Sequence, residues 1–127
     1  RCGILTDLGY FTDEILSEFS NLNAMLVEAN HDINMLMTGP YPYTLKQRIL
    51  GNSGHLSNES CGRMLGEILC DATEHVFLGH LSKENNFPDL AYETVRMEIN
   101  LGENPYKAED FNIRVAKRDE PSDIISI

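Results

Sequence analysis

The 127-residue sequence has no long apolar run, no paired cysteine spacing, and half as many cations as acids. Each shortage excludes something. Without an apolar stretch of about 20 residues, no segment reads as a membrane-crossing helix. The three cysteines, Cys2, Cys61 and Cys70, are an odd number with no metal-type spacing, which points to structural thiols in a reducing compartment. Cys61 and Cys70 share one helical pattern nine positions apart, too far around it to form a disulfide. Ten Lys and Arg stand against twenty Asp and Glu, a formal net charge of −10, which argues against broad electrostatic binding to nucleic acid. It leaves a phosphate-ester substrate open, because bound cations can dominate a local field. The chain opens on Arg1-Cys2-Gly3 and runs straight into a strand pattern rather than a leader-like segment, so a cytoplasmic location is the expectation.

What is present suits one domain spanning 1–127. The apolar fraction is 42% and the charged fraction 24%, and a chain of this size buries about two-thirds of its unfolded surface. "CGILT" (2–6) and "AMLVEA" (24–29) read as short buried strands, with a helix between them that starts after Thr12. Short helices are expected around "DINMLM" and "TLKQRIL", separated by Gly39, Pro40 and Pro42. Ser57 reads as the N-cap of a longer helix over "NESCGRMLGEILCD", and "HVFLGHL" as the third strand. Pro88 suits the start of a helix over "PDLAYETVRMEINLG". "FNIRVAKR" alternates like a half-buried strand, and "PSDIISI" is either a last edge strand or a loose tail. Strands alternating with helices indicate an α/β layer with some parallel pairing.

In such sheets, ligand-binding residues gather beyond the carboxyl ends of strands. Asp7, Glu28 and His80 fall there. Each also has a plain reading. Asp7 caps its own loop, Glu28 is a solvated rim residue, His31-Asp32 cap a helix, and His55 is a loop histidine. His75 opens its strand as an exposed structural residue. His80 is harder to dismiss, since an imidazole ending "HVFLG" needs a partner if buried. Taken together, one Asp, one Glu and two His have the chemistry of a metal-assisted hydrolase, though the ligand count is short. "YPYTLKQR" reads as a packed turn with a solvated basic helix, or as a substrate contact in which Lys46 and Arg48, close to Tyr41 and Tyr43, meet phosphate and stack bases.

Four blocks in order, "ILTDLGYFTDEI", "VEANHD", "TGPYPYTLKQRILGNSGHLSNE" and "LGHLSKENNFPDLA", resemble the metallo-β-lactamase superfamily, and within it the bacterial YycJ/WalJ-type branch, described as hydrolases or exonucleases acting on DNA. The resemblance covers roughly residues 2–118. It implies that Asp7 bridges two metals and that His80 is the last metal-binding histidine. His55 would protonate the leaving oxygen, with Glu28 as its paired acid. The tetrapeptide Gly-His-Leu-Ser at 54–57 and 79–82 would then do two different jobs. The family's His-x-His-x-Asp-His loop is missing; His31, His55, His75 and His80 are too scattered to form it.

The implied fold is the C-terminal half of an αββα sandwich, one mixed sheet with helices on one face, and a chain lacking the His-rich half. The implied cofactors are two divalent metals, zinc or manganese, in the intact protein, with none or partial occupancy in this chain. The implied partners are nucleic acid or another phosphodiester, and a second copy of the chain in a homodimer through the exposed sheet face. Such a chain is expected to be inactive by itself. The rival readings are a non-catalytic α/β association fragment and a hydrolase of small-molecule esters or cyclic phosphates.

Overall fold

The computed structural model describes residues 1–127. Four strands, β1 (Cys2–Leu5), β2 (Ala24–Glu28), β3 (His75–Gly79) and β4 (Asn112–Val115), form one sheet in the order β1-β2-β3-β4. Five helices join them: α1 (Asp13–Glu18), α2 (Ile33–Thr38), α3 (Tyr43–Leu50), α4 (Asn58–Ile68) and α5 (Pro88–Leu101), with a 3-10 turn at Ala108–Asp110. No helix is long and apolar enough to cross a membrane.

The helix starts follow local side-chain chemistry. Thr12 accepts from the Ile15 amide, Asp32 from Met35 and Ser57 from Ser60, so three of the five helices open on a side-chain cap. Pro88 occupies the first turn of α5, where its missing N–H is no loss.

The expectation of a mixed sheet is corrected: every neighbouring pair is parallel. The reason is connectivity. Each strand is followed by at least one helix before the next, so no tight hairpin creates an antiparallel neighbour. The tail at 121–127 adds no strand, and Ile124 is fully in solvent.

A sheet whose strands follow sequence order, joined by right-handed crossovers, collects its helices on one face. Burial agrees with this. Met25 and Val27 of β2 and Val76 and Leu78 of β3 are buried and pack with Cys61, Met64 and Leu65 of α4 and Val95 and Ile99 of α5. The alternate residues point the other way. Ile4, Leu26, Phe77 and Arg114 stand in register across that second face, and Ile4 is 73% exposed. The Arg114 guanidinium lies 5.4 Å from the Phe77 ring centroid, a cation–π contact within a row in which Leu26 and Phe77 are half-buried. Because all strands run the same way, their carboxyl ends share one edge of the sheet.

Candidate metal and phosphate site at the carboxyl edge

Four side chains meet at that edge. Asp7 lies two residues beyond β1, Glu28 ends β2, and His80 follows β3, while His55 comes from the loop between α3 and α4. Two of them sit on a backbone that L-residues seldom adopt: φ is 58° at Asp7 and 56° at His80, left-handed values shared among non-glycine residues with Asn21 alone. Such a kink costs on the order of 1 kcal/mol and collects at functional sites. It turns each chain just past the strand end, where the side chains of Asp7 and His80 themselves meet Glu28 and His55.

Glu28 is the hub. It is fully buried, and its Oε1 lies 2.7 Å from His55 Nδ1 and 2.6 Å from His80 Nδ1. Its Oε2 accepts from the Leu8 amide at 3.3 Å. An ionised carboxylate only accepts, so each imidazole presents Nδ1–H to Glu28 and keeps its lone pair at Nε2. A carboxylate behind an imidazole in this way fixes both ring orientation and tautomer, the usual arrangement for a histidine that binds metal or moves protons. The two rings are edge-on, 5.3 Å between centroids and 67° between planes. Asp7 Oδ1 lies 3.6 Å from His55 Nδ1 and 3.8 Å from His80 Nδ1 and is the most open member, its side chain 67% exposed.

The ligand atoms of Asp7, Glu28, His55 and His80 all lie within 4.8 Å of one another. Two carboxylates and two imidazoles are donors that zinc and manganese accept, so the set could hold a divalent cation. Two cations at about three protein ligands each would need more donors than these.

The surrounding loops lock the histidines in place. Asn30 is the rivet: its amide donates to the Leu56 carbonyl, its carbonyl accepts from the Ser82 amide, and its side chain donates to the His80 carbonyl. Asn58 and Asn86 exchange two side-chain hydrogen bonds of 2.9 Å in the interior, and Asn86 also donates to the Ala29 carbonyl. His31, expected as a helix cap neighbour, is buried, with Nδ1 on Asn30 and Nε2 unpartnered. Burial, with a smaller contribution from His55, pushes its pKa down to about 4, so it is neutral near pH 7. His75, expected to be exposed, is half-buried, with its Nδ1 buried and unpartnered.

A cavity of about 1120 Å³ opens over the cluster, with Asp7, His55 and His80 in its wall. Of the expected substrate contacts, Arg48 lines it. Lys46 does not; its ammonium donates to the Met37 carbonyl. Tyr43 points into solvent, 72% exposed and outside the cavity, whereas Tyr41 lines it. Lys83, Lys117 and Arg118 also line it and were not foreseen. Lys83 stands three residues past His80 in sequence, a spacing that signals its place in this wall.

The fold and the site together define a parallel α/β layer that carries a carboxylate–imidazole cluster, suited to a cation, at its carboxyl edge. Comparison with known proteins gives relatives for it. Over 92 residues, 72% of the chain, it is 46% identical to exodeoxyribonuclease WalJ of Streptococcus pneumoniae, in both serotype 2 strain D39 and strain R6. It is 38% identical over 95 residues, 75% of the chain, to exodeoxyribonuclease YycJ of Bacillus anthracis. The chain spans about a third of the length of these curated relatives, 34% and 36% respectively. No family model and no solved structure matches it. The likeness to the YycJ/WalJ branch drawn from the four sequence blocks therefore holds over nearly three quarters of the chain.

Proposed function

We propose that this chain supplies part of the active centre of a metal-dependent phosphodiesterase of the metallo-β-lactamase superfamily that removes nucleotides from DNA. The observation that carries this reading is the convergence of Asp7, Glu28, His55 and His80 within 4.8 Å. The printed activity of the WalJ and YycJ relatives supports it. A pair of divalent cations, zinc or manganese, would supply positive charge to the phosphate and acidify a water for attack.

The chain's own residues divide the remaining work. Asp7 and His80 would be the ligands. Asp7 offers an exposed carboxylate able to bridge, and His80 offers the Nε2 lone pair left free by Glu28. His55, held at Nδ1 by the same Glu28, would give a proton to the departing oxygen from Nε2 once that nitrogen has taken one up, the buried carboxylate stabilising the imidazolium. Glu28 orients both rings and, being buried and acceptor-only, prevents either from flipping its tautomer. Two ligands fall short of two full coordination shells, so the chain by itself is expected to be inactive and to need ligands from elsewhere in a longer polypeptide.

The test is hydrolysis of single-stranded DNA with manganese by a polypeptide of the relatives' full length that contains this chain. Asp7→Ala and His80→Ala should each abolish metal-dependent turnover, and a near-normal rate in either would end the assignment. The 127-residue chain should show no turnover, and vigorous cleavage by it would overturn its partial character.

A second reading rests on the second sheet face, where Ile4 is exposed and Leu26 and Phe77 are half-buried. Apolar surface of this kind favours association, and a second copy related by a twofold axis would cover it. Light scattering at micromolar concentration should report a dimer; a well-folded monomer would remove this reading and leave the first intact.

A further inference from the structure

His31 is the one fully buried imidazole, and the proposed chemistry gives it no task. It is 1% exposed, lies outside the cluster of Asp7, Glu28, His55 and His80, and leaves Nε2 without a partner. An unmet polar atom in the interior destabilises a fold, and an apolar side chain of similar shape would avoid it. Packing therefore does not account for an imidazole here. The other ring nitrogen does, because Nδ1 lies 3.2 Å from Asn30 Oδ1.

The direction of that hydrogen bond is set on the far side of the Asn30 amide. Nδ2 of Asn30 donates to the His80 carbonyl oxygen at 2.9 Å, and a carbonyl only accepts. The amide NH2 therefore faces His80, its oxygen faces His31, and His31 presents Nδ1–H. Turned over, the amide would set its oxygen against the His80 carbonyl. The main chain on either side is already pinned. Asn30 donates its own N–H to the Leu56 carbonyl and accepts from the Ser82 amide, and the His31 carbonyl accepts from Asn58. Only the side-chain amide of Asn30 is left free to turn, and His31 removes that freedom. What the amide grips is His80, whose φ of 56° is a conformation most L-residues leave unless their surroundings hold them.

We propose that His31 is a positioning residue: its Nδ1–H sets the Asn30 amide, and that amide holds His80 in the left-handed bend from which Nδ1 reaches Glu28 and Nε2 stays open to a cation. The cation part rests on the phosphodiesterase reading; the bend does not. Glu28 fixes the His80 ring, whereas His31 and Asn30 fix the main chain that carries it. Partners that stand behind a ligand in this way tune how tightly it binds metal.

The first measurement is NMR of this chain in EDTA. Long-range nitrogen–proton spectra of the imidazoles should show a neutral His31 protonated at Nδ1, and the amide–Hα coupling of His80 should report the left-handed φ. Two substitutions then separate the position of the donor from bulk. Asparagine carries its donor on Cγ, where Nδ1 stands, whereas glutamine is closer to histidine in size but carries its amide one bond further out. His31→Asn should therefore keep the left-handed coupling at His80, and His31→Gln should lose it. Asn30→Ala, at a half-buried position, should lose it as well. In a polypeptide of the relatives' full length that contains this chain, His31→Gln should weaken manganese binding about 10-fold. KM for DNA should stay unchanged, and His31→Asn should restore most of the lost affinity.

A proton on Nε2 of His31, a left-handed His80 that survives Asn30→Ala or His31→Gln, or better retention by His31→Gln than by His31→Asn would each overturn the inference. Should both His31 variants unfold, Asn30→Ala and the tautomer of the parent chain decide it alone. A failed phosphodiesterase reading leaves the tautomer and the bend in place, since neither uses metal or DNA. A failed positioning role loses them, whatever the longer polypeptide cleaves.

Discussion

Gly-His-Leu-Ser occurs twice, and the two copies meet on one carboxylate from different directions. At 54–57 the histidine leaves a loop, its leucine is fully buried, and its serine caps the 11-residue helix α4. At 79–82 the histidine leaves a strand through a left-handed turn, its leucine is half-buried, and its serine accepts only from the Asn85 amide within a loop. Both imidazoles nevertheless reach Glu28 Oε1 through Nδ1, and Asn30 hydrogen-bonds to both loops. Equal spelling gives unequal local structure, since four residues do not set their own surroundings. The shared target is what the two copies have in common.

The largest expected effect comes from breaking that target. In Glu28→Gln, the amide must turn its NH2 either toward the two Nδ1–H groups or toward the Leu8 amide, so donors face donors in either orientation. Metal content and cleavage rate of the longer polypeptide should both fall, the rate by at least about 100-fold. His55→Ala should cost about 100- to 10,000-fold in rate with metal retained. A Glu28→Gln protein that keeps its metal, measured by elemental analysis, would make Glu28 the partner of His55 alone.

The glycines sharpen the contrast at the level of packing. A Cβ on Gly54 would sit 2.1 Å from the Ile49 carbonyl oxygen and 2.5 Å from that of Arg48, both backbone atoms at the end of α3. On Gly79 its nearest neighbour would be a Leu26 methyl at 3.3 Å, which can yield. Denaturant melts should therefore show Gly54→Ala losing about 3 kcal/mol and Gly79→Ala about 1 kcal/mol. Equal losses would mean that the first loop is not held against α3 as described.

The serines give the smallest difference. Ser57→Ala removes a helix N-cap and should lower stability by about 1 kcal/mol. Ser82→Ala removes a 3.2 Å loop contact and should cost less than about 0.5 kcal/mol. Thermal melts of the two variants side by side decide this, and a reversed order would remove the distinction between cap and turn.

Features with local causes were legible in the sequence. Thr12, Asp32 and Ser57 cap helices because a cap needs only the next three residues. The convergence of Asp7 and His80 was legible through the rule that strand ends share a ligand edge. Pairing direction was not, because the period of a strand is the same in parallel and antiparallel sheets. Nor was the double engagement of Glu28, which depends on His80 lying 52 residues away in sequence and beside it in space. The Asn58–Asn86 exchange and the cation-lined wall failed for the same reason. Polar residues in loops look alike until folding chooses their neighbours, and Lys46, equal to Arg48 on paper, spends its charge on a carbonyl instead of on the cavity.

Anyone grafting these four side chains onto another parallel sheet would have to transplant two bends of the main chain with them. With an ordinary extended backbone at positions 7 and 80, the carboxylate and imidazole would follow the strand direction and miss each other. β-Branched residues are shut out of such bends, whereas asparagine and glycine fit. Laboratory evolution of this chain without selection for turnover should therefore drift toward those two residues at both positions, and a stability gain there would mark how much of the architecture is held in reserve for chemistry.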